Sequence, residues 1–514
     1  MEIQINQLMT DSGVGFGTSG ARGLVADMTD TVCFAYTLAF LQYTAQTCGK
    51  TFDRAAVAYD LRTSSPRIAQ AVRTAVAHFG LTPVDCGTVP SPTVALYGLT
   101  EKIPSIMVTG SHIPEDRNGI KFNLPTGEIL KKDEEGIRQQ TVDVPDDFGK
   151  LLAAAHSECA ARSEAEQLYI DRFVRALPKN FLAGCRIGLY EHSAVGRDVL
   201  YNLYTTLGAA VTRLGRSGVF VAVDTEAVRD EDLSLAKNWA NGNDLPQGVR
   251  GDSENPPFDA VLSTDGDSDR PLIFDEHGGW IRGDIAGILT ARFLLADCIV
   301  TPVSSNTALE KSGWFKNIVR TKIGSPYVIE AMQSAVKQGF RRVAGYEANG
   351  GFLTANDILL DEEESRRPLD ALPTRDPAVV HIAVLSQAKA LGVPLSEITG
   401  YLPRRIVMSD RLQNFPVEIS RQKMAELLSE SEERIQLIFA SFGELQRIDR
   451  TDGLRMTFGD QDIIHIRPSG NAPELRCYTE SDTKERTAAL LYRTMTLLDS
   501  WRRREQRNEY PYLQ

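Results

Sequence analysis

The chain has 514 residues, of which 42% are hydrophobic and 24% are charged, and its formal net charge is −12. This length predicts three or four globular domains, and the acidic balance disfavours a nucleic-acid-binding protein, which usually carries a basic surface. The longest apolar stretch, residues 34–41, is far shorter than the ~20 residues that span a bilayer. Residues 1–13 lack the basic and apolar regions of a secretory signal. The sequence therefore predicts a cytoplasmic protein with no membrane or nucleic-acid partner.

Short apolar runs, each followed by a polar loop, recur through the first three quarters of the chain. They are residues 57–60, 106–109, 187–190, 260–263, 299–301 and 342–344. Longer amphipathic stretches, such as residues 66–79 and 195–207, lie between them. Strands that alternate with helices are typical of α/β units with mainly parallel sheets. We therefore expect three similar α/β domains, at residues 1–158, 159–276 and 277–395.

The first polar motif is the glycine-rich segment at residues 15–22, GFGTSGAR. It contains the spacing GxGxxG, but a dinucleotide-binding site requires a strand before the motif and a helix that opens at it. Here the preceding segment is polar, and the pattern predicts a helix that begins only near Asp30. The sequence therefore favours a loop whose backbone amides and Arg22 meet a phosphate group.

The second motif places Ser111 directly after a predicted strand. An exposed hydroxyl at that position could act as a nucleophile or carry a phosphate. The adjacent His112 makes a hydrolase triad awkward, and the G-x-S-x-G elbow is absent. Lys121, further along, could clamp a phosphate or carry a proton. Taken alone, Ser111 could also belong to an ordinary serine turn.

The third motif, residues 265–270 (DGDSDR), brings three carboxylates into one loop. Carboxylates at alternate positions can converge on a hard cation such as Mg²⁺ or Ca²⁺. An EF-hand is the rival interpretation, and Glu276 falls at its twelfth position. However, its sixth position must be glycine and is Arg270, and apolar strand-like segments flank the loop instead of helices. A solvated acidic turn is the other alternative.

A weaker motif follows the sixth apolar run. Glu347 and Asn349 place one carboxylate and one amide at a strand end, a pair that suits sugar hydroxyls. An ordinary turn would show the same residues.

The last part of the chain has a different pattern. Helical periodicity covers residues 417–441, followed by predicted strands at 455–458, 463–467 and 474–478 and by a helix from 484 to about 504. This order predicts a separate, smaller α+β domain at residues 396–514. Its loop at residues 467–473, with Arg476 beyond, offers guanidinium, hydroxyl, amide and glycine backbone groups, which are common phosphate ligands. A basic surface turn is the alternative.

These five loops, in this order, resemble the motifs of the α-D-phosphohexomutase superfamily, which includes phosphomannomutases, phosphoglucomutases and phosphoglucosamine mutases. The resemblance runs from residues 16–23 to residues 467–474, and residues 60–65 (DLRTSS) are similar to a further motif of the family. It implies three α/β domains and a smaller C-terminal domain around a central cleft. It also implies an isomerase of the intramolecular phosphotransferase type, which interconverts hexose 1-phosphate and hexose 6-phosphate through a phosphoserine and hexose 1,6-bisphosphate.

The resemblance also implies roles for individual residues. One serine would carry the phosphate, and three aspartates would hold Mg²⁺ together with it; these metal-site residues are Ser111, Asp265, Asp267 and Asp269. Three basic residues would surround the reaction centre, with the lysine as the acid/base candidate; they are Arg22, His112 and Lys121. Further residues would bind the substrate, namely Arg270 beside the metal loop, Glu347 and Asn349 in the sugar loop, and Arg467, Ser469, Gly470 and Asn471, with Arg476, in the C-terminal phosphate loop.

Four positions depart from the family pattern. Ile113 stands where the family usually has Asn, Asn349 where it has Ser, and Asn471 where it has Thr. The segment at residues 321–326 lacks the basic residue that often follows Gly324. These departures leave the reaction class intact and bear on the identity of the sugar.

The preferred interpretation is a phosphomannomutase that requires Mg²⁺ and a hexose 1,6-bisphosphate as activator and intermediate, working as a monomer or homodimer. Phosphoglucomutase and phosphoglucosamine mutase are the alternatives within the family. A metal-dependent sugar phosphatase and a non-catalytic phosphosugar-binding protein are the alternatives from other classes.

Overall fold

The computed structural model of the protein describes all residues except 18, 50, 155–158, 253, 361–366, 414, 416, 469–473 and 510–514. The predicted phosphate-loop residues Ser469, Gly470 and Asn471 therefore lie outside the described residues. Two compact units are formed, Met1–Val300 with Gly324–Thr399, and Thr301–Ile323 with Gly400–Gln514. The boundaries of the four domains expected from the sequence are not tested by this division and stay a prediction.

The N-terminal part of the first unit contains a mixed eight-stranded sheet. Its elements are β1 (Glu2–Gln4), α1 (Ile5–Ser12), β2 (Gly15–Phe16), β3 (Gly20–Leu24), α2 (Asp30–Cys48), β4 (Arg54–Tyr59), α3 (Ser65–His78), β5 (Thr82–Gly87), α4 (Ser91–Glu101), β6 (Ser105–Val108), β7 (Arg117–Leu124), β8 (Gly127–Glu128), α5 (Lys131–Arg138), β9 (Thr141–Asp143), α6 (Phe148–Ala154) and β10 (Cys159–Ala160). The sheet order is β10-β5-β4-β6-β7-β3-β2, with β8 beside β7, while β1 pairs with β9.

Register in this sheet brings distant motifs together. Strands β10, β5, β4 and β6 are parallel, and β7, β3 and β2 continue the sheet antiparallel. Lys121 on β7 lies opposite both Met107 on β6 and Gly20 on β3. The glycine-rich segment joins two strands and opens no helix, so the structure excludes the dinucleotide-binding interpretation, as the sequence predicted.

The next part of the chain forms a five-stranded sheet in the order β12-β11-β13-β14-β15. Its elements are α7 (Arg162–Ala176), β11 (Arg186–His192), α8 (Arg197–Thr206), β12 (Ala210–Arg216), α9 (Asp230–Ala240), β13 (Ala260–Thr264), β14 (Pro271–Asp275) and β15 (Trp280–Ile281). Strand β11 is parallel to β12 and β13, whereas β13 and β14 form a hairpin in which Thr264 pairs with Pro271. The acidic loop is the turn of this hairpin, so the EF-hand is excluded, as its flanking residues predicted.

A third group of elements follows. They are α10 (Gly283–Phe293), β16 (Cys298–Pro302), α11 (Ala308–Lys311), β17 (Ile318–Thr321), α12 (Ser325–Lys337), β18 (Val343–Tyr346), β19 (Phe352–Thr354), α13 (Pro377–Leu391), α14 (Leu395–Ile398) and a 3₁₀ turn (Thr399–Tyr401). Strand β16 is parallel to β18, and β18 and β19 form a hairpin around Glu347. All six predicted apolar runs are therefore strands, and each chemical motif among them follows a strand end.

The second unit contains a five-stranded antiparallel sheet in the order β20-β24-β23-β22-β21. Its elements are β20 (Ile406–Gln413), α15 (Val417–Ser429), α16 (Glu432–Ile438), a 3₁₀ turn (Ala440–Phe442), β21 (Leu445–Asp449), β22 (Leu454–Phe458), β23 (Ile463–Pro468), β24 (Glu474–Ser481) and α17 (Lys484–Glu509). The helical periodicity at residues 417–441 corresponds to two helices and the 3₁₀ turn. The second helix begins anew because Ser431 caps it, its hydroxyl accepting from the Arg434 amide.

No single helix of the described residues is long and apolar enough to cross a membrane. One pair of helices, Pro377–Leu391 and Leu395–Tyr401, meets at a bend of 94°. By length and composition alone, the two together would be long and apolar enough to cross one. Helix α13 of that pair is buried along most of its length inside the first unit.

Buried His381 on α13 makes the stability of the first unit depend on pH. Its Nδ1 lies 2.6 Å from the hydroxyl oxygen of Tyr204. Burial lowers the pKa of His381 from 6.5 to about 3. The unfolded chain therefore binds a proton that the folded chain does not, so the free energy of unfolding decreases as the pH falls from about 6.5 toward 3.

We expect this histidine to contribute a loss of about 1.4 kcal/mol for each pH unit within that window. Urea unfolding of the protein between pH 7 and pH 5 measures the slope. His381→Gln removes the titrating group and should make the slope shallower. His277→Gln, at an exposed position, is the matched control and should leave it unchanged. Equal slopes for His381→Gln and the wild type would contradict the prediction.

Candidate active site

Ser111 lies at the carboxyl end of β6, where the backbone turns sharply. Its φ angle of 56° is in the left-handed region, and its amide donates to Thr109 Oγ1 at 2.7 Å. Its hydroxyl donates to Asp265 Oδ2 at 2.6 Å and lies 3.2 Å from His112 Nδ1. The serine is fully buried, so the expectation of an exposed hydroxyl is wrong. The acidic loop covers it.

Gly266 permits this close packing of the acidic loop on the serine loop. A Cβ atom at this position would lie only 2.6 Å from the carbonyl oxygen of Ser111. Any side chain would push the two loops apart, and the contact between Ser111 and Asp265 would be lost.

Arg62 holds the serine loop from beneath. Its guanidinium donates to four backbone carbonyls of that loop, those of Ser111, Ile113, Pro114 and Arg117, at 2.6–3.0 Å. Its Nε donates to Asp60 Oδ2 at 3.2 Å, and the same carboxylate oxygen accepts from Thr109 Oγ1 at 2.7 Å. Arg62 and Asp60 are both fully buried. The DLRTSS motif thus positions the serine.

The three aspartates converge as predicted. One carboxylate oxygen from each of Asp265, Asp267 and Asp269 lies within 4.8 Å of the others, and all three residues are buried. Lys121 Nζ donates to Asp267 Oδ2 at 2.5 Å and to Asp269 Oδ2 at 2.6 Å. Ser91, which sequence reasoning missed, also donates to Asp267. The lysine is one cation among three carboxylates.

Electrostatic interactions shift the pKa values of these carboxyl groups in opposite directions. Burial, together with the charges of Asp267 and Asp269, raises the pKa of Asp265 well above its ordinary value. Burial opposes ionisation of Asp267 too, but Lys121 holds the pKa of that carboxyl below its ordinary value. The Oδ1 atoms of Asp267 and Asp269 are buried and accept no hydrogen bond from the described residues. Such an oxygen donor set fits a hard divalent cation.

Basic residues surround the cluster. Arg270 Nε lies 3.7 Å from Asp269 Oδ1 and 4.0 Å from Asp265 Oδ2. Burial and the neighbouring charge of Arg270 lower the pKa of Arg22 to about 10. The same two causes hold the pKa of His112 well below its ordinary value, so its imidazole is neutral. The structure therefore brings all four predicted basic residues of the first unit to one place.

The predicted sugar loop lies at the end of β18. Glu347 and Asn349 are both buried, and the Asn349 carbonyl accepts from Thr225 Oγ1 at 2.7 Å. Glu347 Oε2 accepts from Arg375 Nε at 2.6 Å. Arg375 carries no sequence motif and was missed. Only its position just before the start of the apolar helix α13, whose N-cap is Asp376, could have pointed to it.

The remaining predicted residues belong to the second unit. Arg467 on β23 and Arg476 on β24 are directly opposite each other in the sheet. Arg467 Nε lies 3.4 Å from Asp452 Oδ2, and Arg476 Nη2 lies 3.5 Å from Glu474 Oε2. Adjacent strands therefore place two guanidinium groups beside the ends of the predicted phosphate loop.

Three family models match the chain. They are the models described as phosphoglucomutase/phosphomannomutase alpha/beta/alpha domain I at residues 13–145, alpha/beta/alpha domain III at residues 282–405 and C-terminal domain at residues 417–496. Together they cover more than half of the chain.

Curated relatives and solved structures agree with these matches. The phosphomannomutase of Salmonella muenchen is 44% identical over 478 residues, which cover 93% of this chain and 94% of that protein. The phosphomannomutase of Sinorhizobium fredii is 41% identical and covers 95% of this chain and 99% of that protein. A crystal structure of a phosphoglucomutase/phosphomannomutase family protein from Burkholderia thailandensis has a TM-score of 0.69 at 17% identity, covers 94% of this chain and 97% of that chain, and shares its fold. The predicted fold class is confirmed.

Proposed function

Because the chain belongs to the phosphoglucomutase/phosphomannomutase family, we propose that it interconverts mannose 1-phosphate and mannose 6-phosphate through a phosphorylated Ser111. Family membership makes the chain a phosphohexomutase, an isomerase that transfers phosphoryl groups. Mannose is proposed because relatives that are 44% and 41% identical over most of the chain are phosphomannomutases. The observation that carries the role of Ser111 is the 2.6 Å contact between its hydroxyl and Asp265, inside a cluster of three aspartates.

In this proposal the reaction has two steps. The ester bond of phospho-Ser111 breaks, and its phosphoryl group forms a bond to the free hydroxyl oxygen of a hexose monophosphate, which gives a hexose 1,6-bisphosphate. The sugar then turns over, and its other phosphate returns to Ser111. Bound Mg²⁺ would supply neutralisation of the charge that phosphoryl transfer concentrates.

The surrounding residues have separate roles in the proposal. Asp265, Asp267 and Asp269, together with Ser111, would hold the cation. As the phosphoryl group moves, the sugar hydroxyl loses one proton and the departing Ser111 oxygen gains one. Lys121 is the proposed acid/base residue for this exchange, and it accepts the proton in its neutral form. His112, 3.2 Å from Ser111 Oγ, is neutral and orients that oxygen.

Positive charge positions the two ends of the substrate. Arg22 and Arg270 meet the transferring phosphoryl group, since guanidinium groups bind phosphate oxygens in pairs. Arg467 and Arg476, on adjacent strands, grip the phosphate that does not react. Glu347 accepts hydrogen bonds from the sugar hydroxyls.

A panel of hexose 1-phosphates tests this proposal. Purified protein is incubated with Mg²⁺, a trace of the matching bisphosphate, and the 1-phosphate of mannose, glucose or glucosamine. We expect conversion to the 6-phosphate, with the highest kcat/KM for mannose, and an intact mass that includes a fraction one phosphate heavier. Isomerisation of none of the three would overturn the enzyme assignment. A faster reaction with glucose or glucosamine would overturn the choice of sugar, and net phosphate release would indicate a phosphatase.

Removing the charge of one aspartate should weaken the proposed cation site. In Asp267→Asn the side chain keeps its size but loses the charge that faces the cation. We expect kcat to fall by roughly 100-fold or more and half-maximal activity to need more Mg²⁺. Activity of chelator-treated protein, titrated with MgCl₂, measures both effects.

The control for this variant is Asp275→Asn. Asp275 lies at the other end of β14, where its carboxylate accepts from the backbone amides of His277 and Gly279 in its own turn. We expect its Mg²⁺ dependence to match that of the wild type. Full activity of the wild-type protein after chelation would contradict the metal assignment.

A further inference from the structure

Arg375 bridges two loops of the candidate active site. Its Nε donates to Glu347 Oε2 at 2.6 Å, and its Nη1 lies 3.5 Å from Asp269 Oδ2. The first partner belongs to the predicted sugar loop and the second to the acidic loop. The arginine side chain is only 3% exposed, so it is an internal part of the site.

The chain on both sides of Arg375 is firmly held. Thr374 donates to Glu128. Asp376 caps α13 and accepts from the hydroxyl of Tyr169 at 2.5 Å and from Arg172 Nη1 at 2.6 Å. These anchors reach other helices and strands of the first unit, and the Asp376 amide also donates to the Phe352 carbonyl at 2.9 Å, directly after the sugar loop. The Arg375 backbone is therefore fixed against both the rest of the unit and the strand that follows the sugar loop.

Gly351, in the sugar loop itself, leaves the space that Arg375 fills. A Cβ atom on Gly351 would lie 2.4 Å from Cδ, 2.8 Å from Cγ and 3.0 Å from Nε of Arg375. The nearest obstacles to a side chain at position 351 are thus all atoms of this one arginine. The Arg375 side chain therefore occupies the space that a side chain at position 351 would need.

The guanidinium of Arg375 also adds to the positive charge of the site. It faces two carboxylates, those of Glu347 and Asp269, and its charge also acts on Arg22 and Arg270.

We propose that Arg375 is a positioning residue of the mutase reaction, which orients the Glu347 carboxylate toward the sugar hydroxyls and ties the sugar loop to the acidic loop. The inference rests on the proposed function, because it assumes that Glu347 receives a hexose phosphate. One oxygen of Glu347 is held by Arg375, which leaves the other oxygen to face the substrate. A carboxylate fixed by a buried ion pair loses little freedom when the sugar binds.

Arg375→Lys tests the inference. Lysine keeps the positive charge but lacks the planar guanidinium group, whose separate nitrogen atoms contact Glu347 and Asp269. We expect KM for the hexose 1-phosphate to rise more than kcat falls, with kcat/KM reduced by roughly 100-fold. The fraction of protein that carries a phosphate on Ser111, read from the intact mass, should stay near the wild-type value. Arg229→Lys is the matched control, since Arg229 forms a two-bond pair with buried Asp232 away from the site, and its kinetic constants should not change.

Gly351→Ala is a second test of the inference, and it does not depend on how well Arg375→Lys folds. The added methyl group should displace Arg375 and reproduce the rise in KM. In an Arg375→Ala background the three nearest atoms to this methyl group are gone, so Gly351→Ala should then have little further effect. Such non-additivity identifies a direct pair.

The outcomes separate this inference from the proposed function. Failure of the wild-type protein to isomerise any hexose phosphate would overturn the proposed function and this inference with it. An active wild type with Arg375→Lys kinetics within twofold would overturn only the inference. So would a lower melting temperature with unchanged kinetic constants, or full additivity of Gly351→Ala and Arg375→Ala.

Discussion

Ser111→Ala is expected to abolish mutase turnover, lowering kcat by at least about 10⁴-fold, because the proposal assigns transport of the phosphate between the two half-reactions to the Ser111 oxygen. The variant should also lack the heavier species in its intact mass. Both readouts depend on the same oxygen atom, the one that lies 2.6 Å from Asp265 Oδ2. Steady-state kinetics with mannose 1-phosphate and mass spectrometry of the purified variant measure them.

Ser263→Ala is the matched control for that experiment. Ser263 is a buried serine on β13, next to the acidic loop, and its hydroxyl donates to the Tyr190 carbonyl at 2.7 Å. Its loss should cost about 1 kcal/mol of stability and leave phosphorylation of the protein intact. A phosphate that persists in Ser111→Ala would place the phosphoryl carrier elsewhere and contradict the assignment.

Arg62→Ala is expected to have the largest effect on stability, lowering the free energy of unfolding of the first unit by about 3–5 kcal/mol. The substitution leaves the Asp60 carboxylate buried without its cation and removes the donor from four carbonyls of the serine loop. It also vacates the space beneath Phe220, whose ring centroid lies 3.9 Å from Cζ of Arg62. Urea unfolding followed by circular dichroism measures the loss.

An arginine at the surface, Arg54, is the control for the stability effect of Arg62→Ala. Arg54 pairs with Glu101 at 2.9 Å, and both side chains are about one-third exposed, so Arg54→Ala should change stability by at most about 1 kcal/mol. We also expect Arg62→Ala protein that remains folded to be poorly active, because the turn at Ser111 is no longer held. Equal stability losses for the two variants would show that the buried network does not position the loop.

The sequence predicted those parts of the site that short segments encode. Apolar runs that end in polar loops identified the strands, and the open ends of these strands carry Ser111, the three aspartates and Glu347. The chemistry of each loop could be inferred because its residues are close in sequence.

Contacts between distant segments could not be predicted in this way. Ser91 reaches Asp267 across 176 positions, and Arg375 reaches Glu347 from a different loop. Neither residue carries a local pattern, because its role comes only from packing. Strands β20 and β21 were also missed, since both lie at the edges of their sheet and their largely polar, exposed residues hide the alternation that marks a buried strand.

The contact of Lys121 with Asp267 and Asp269 has a consequence for how the acidic loop is tolerated in the fold. An ammonium group 2.5 and 2.6 Å from two buried carboxylates is an internal counterion, so β7 supplies part of the charge that the hairpin turn between β13 and β14 needs. The eight-stranded and five-stranded sheets of the first unit are thereby joined by an ion pair at the point where like charges would otherwise separate them.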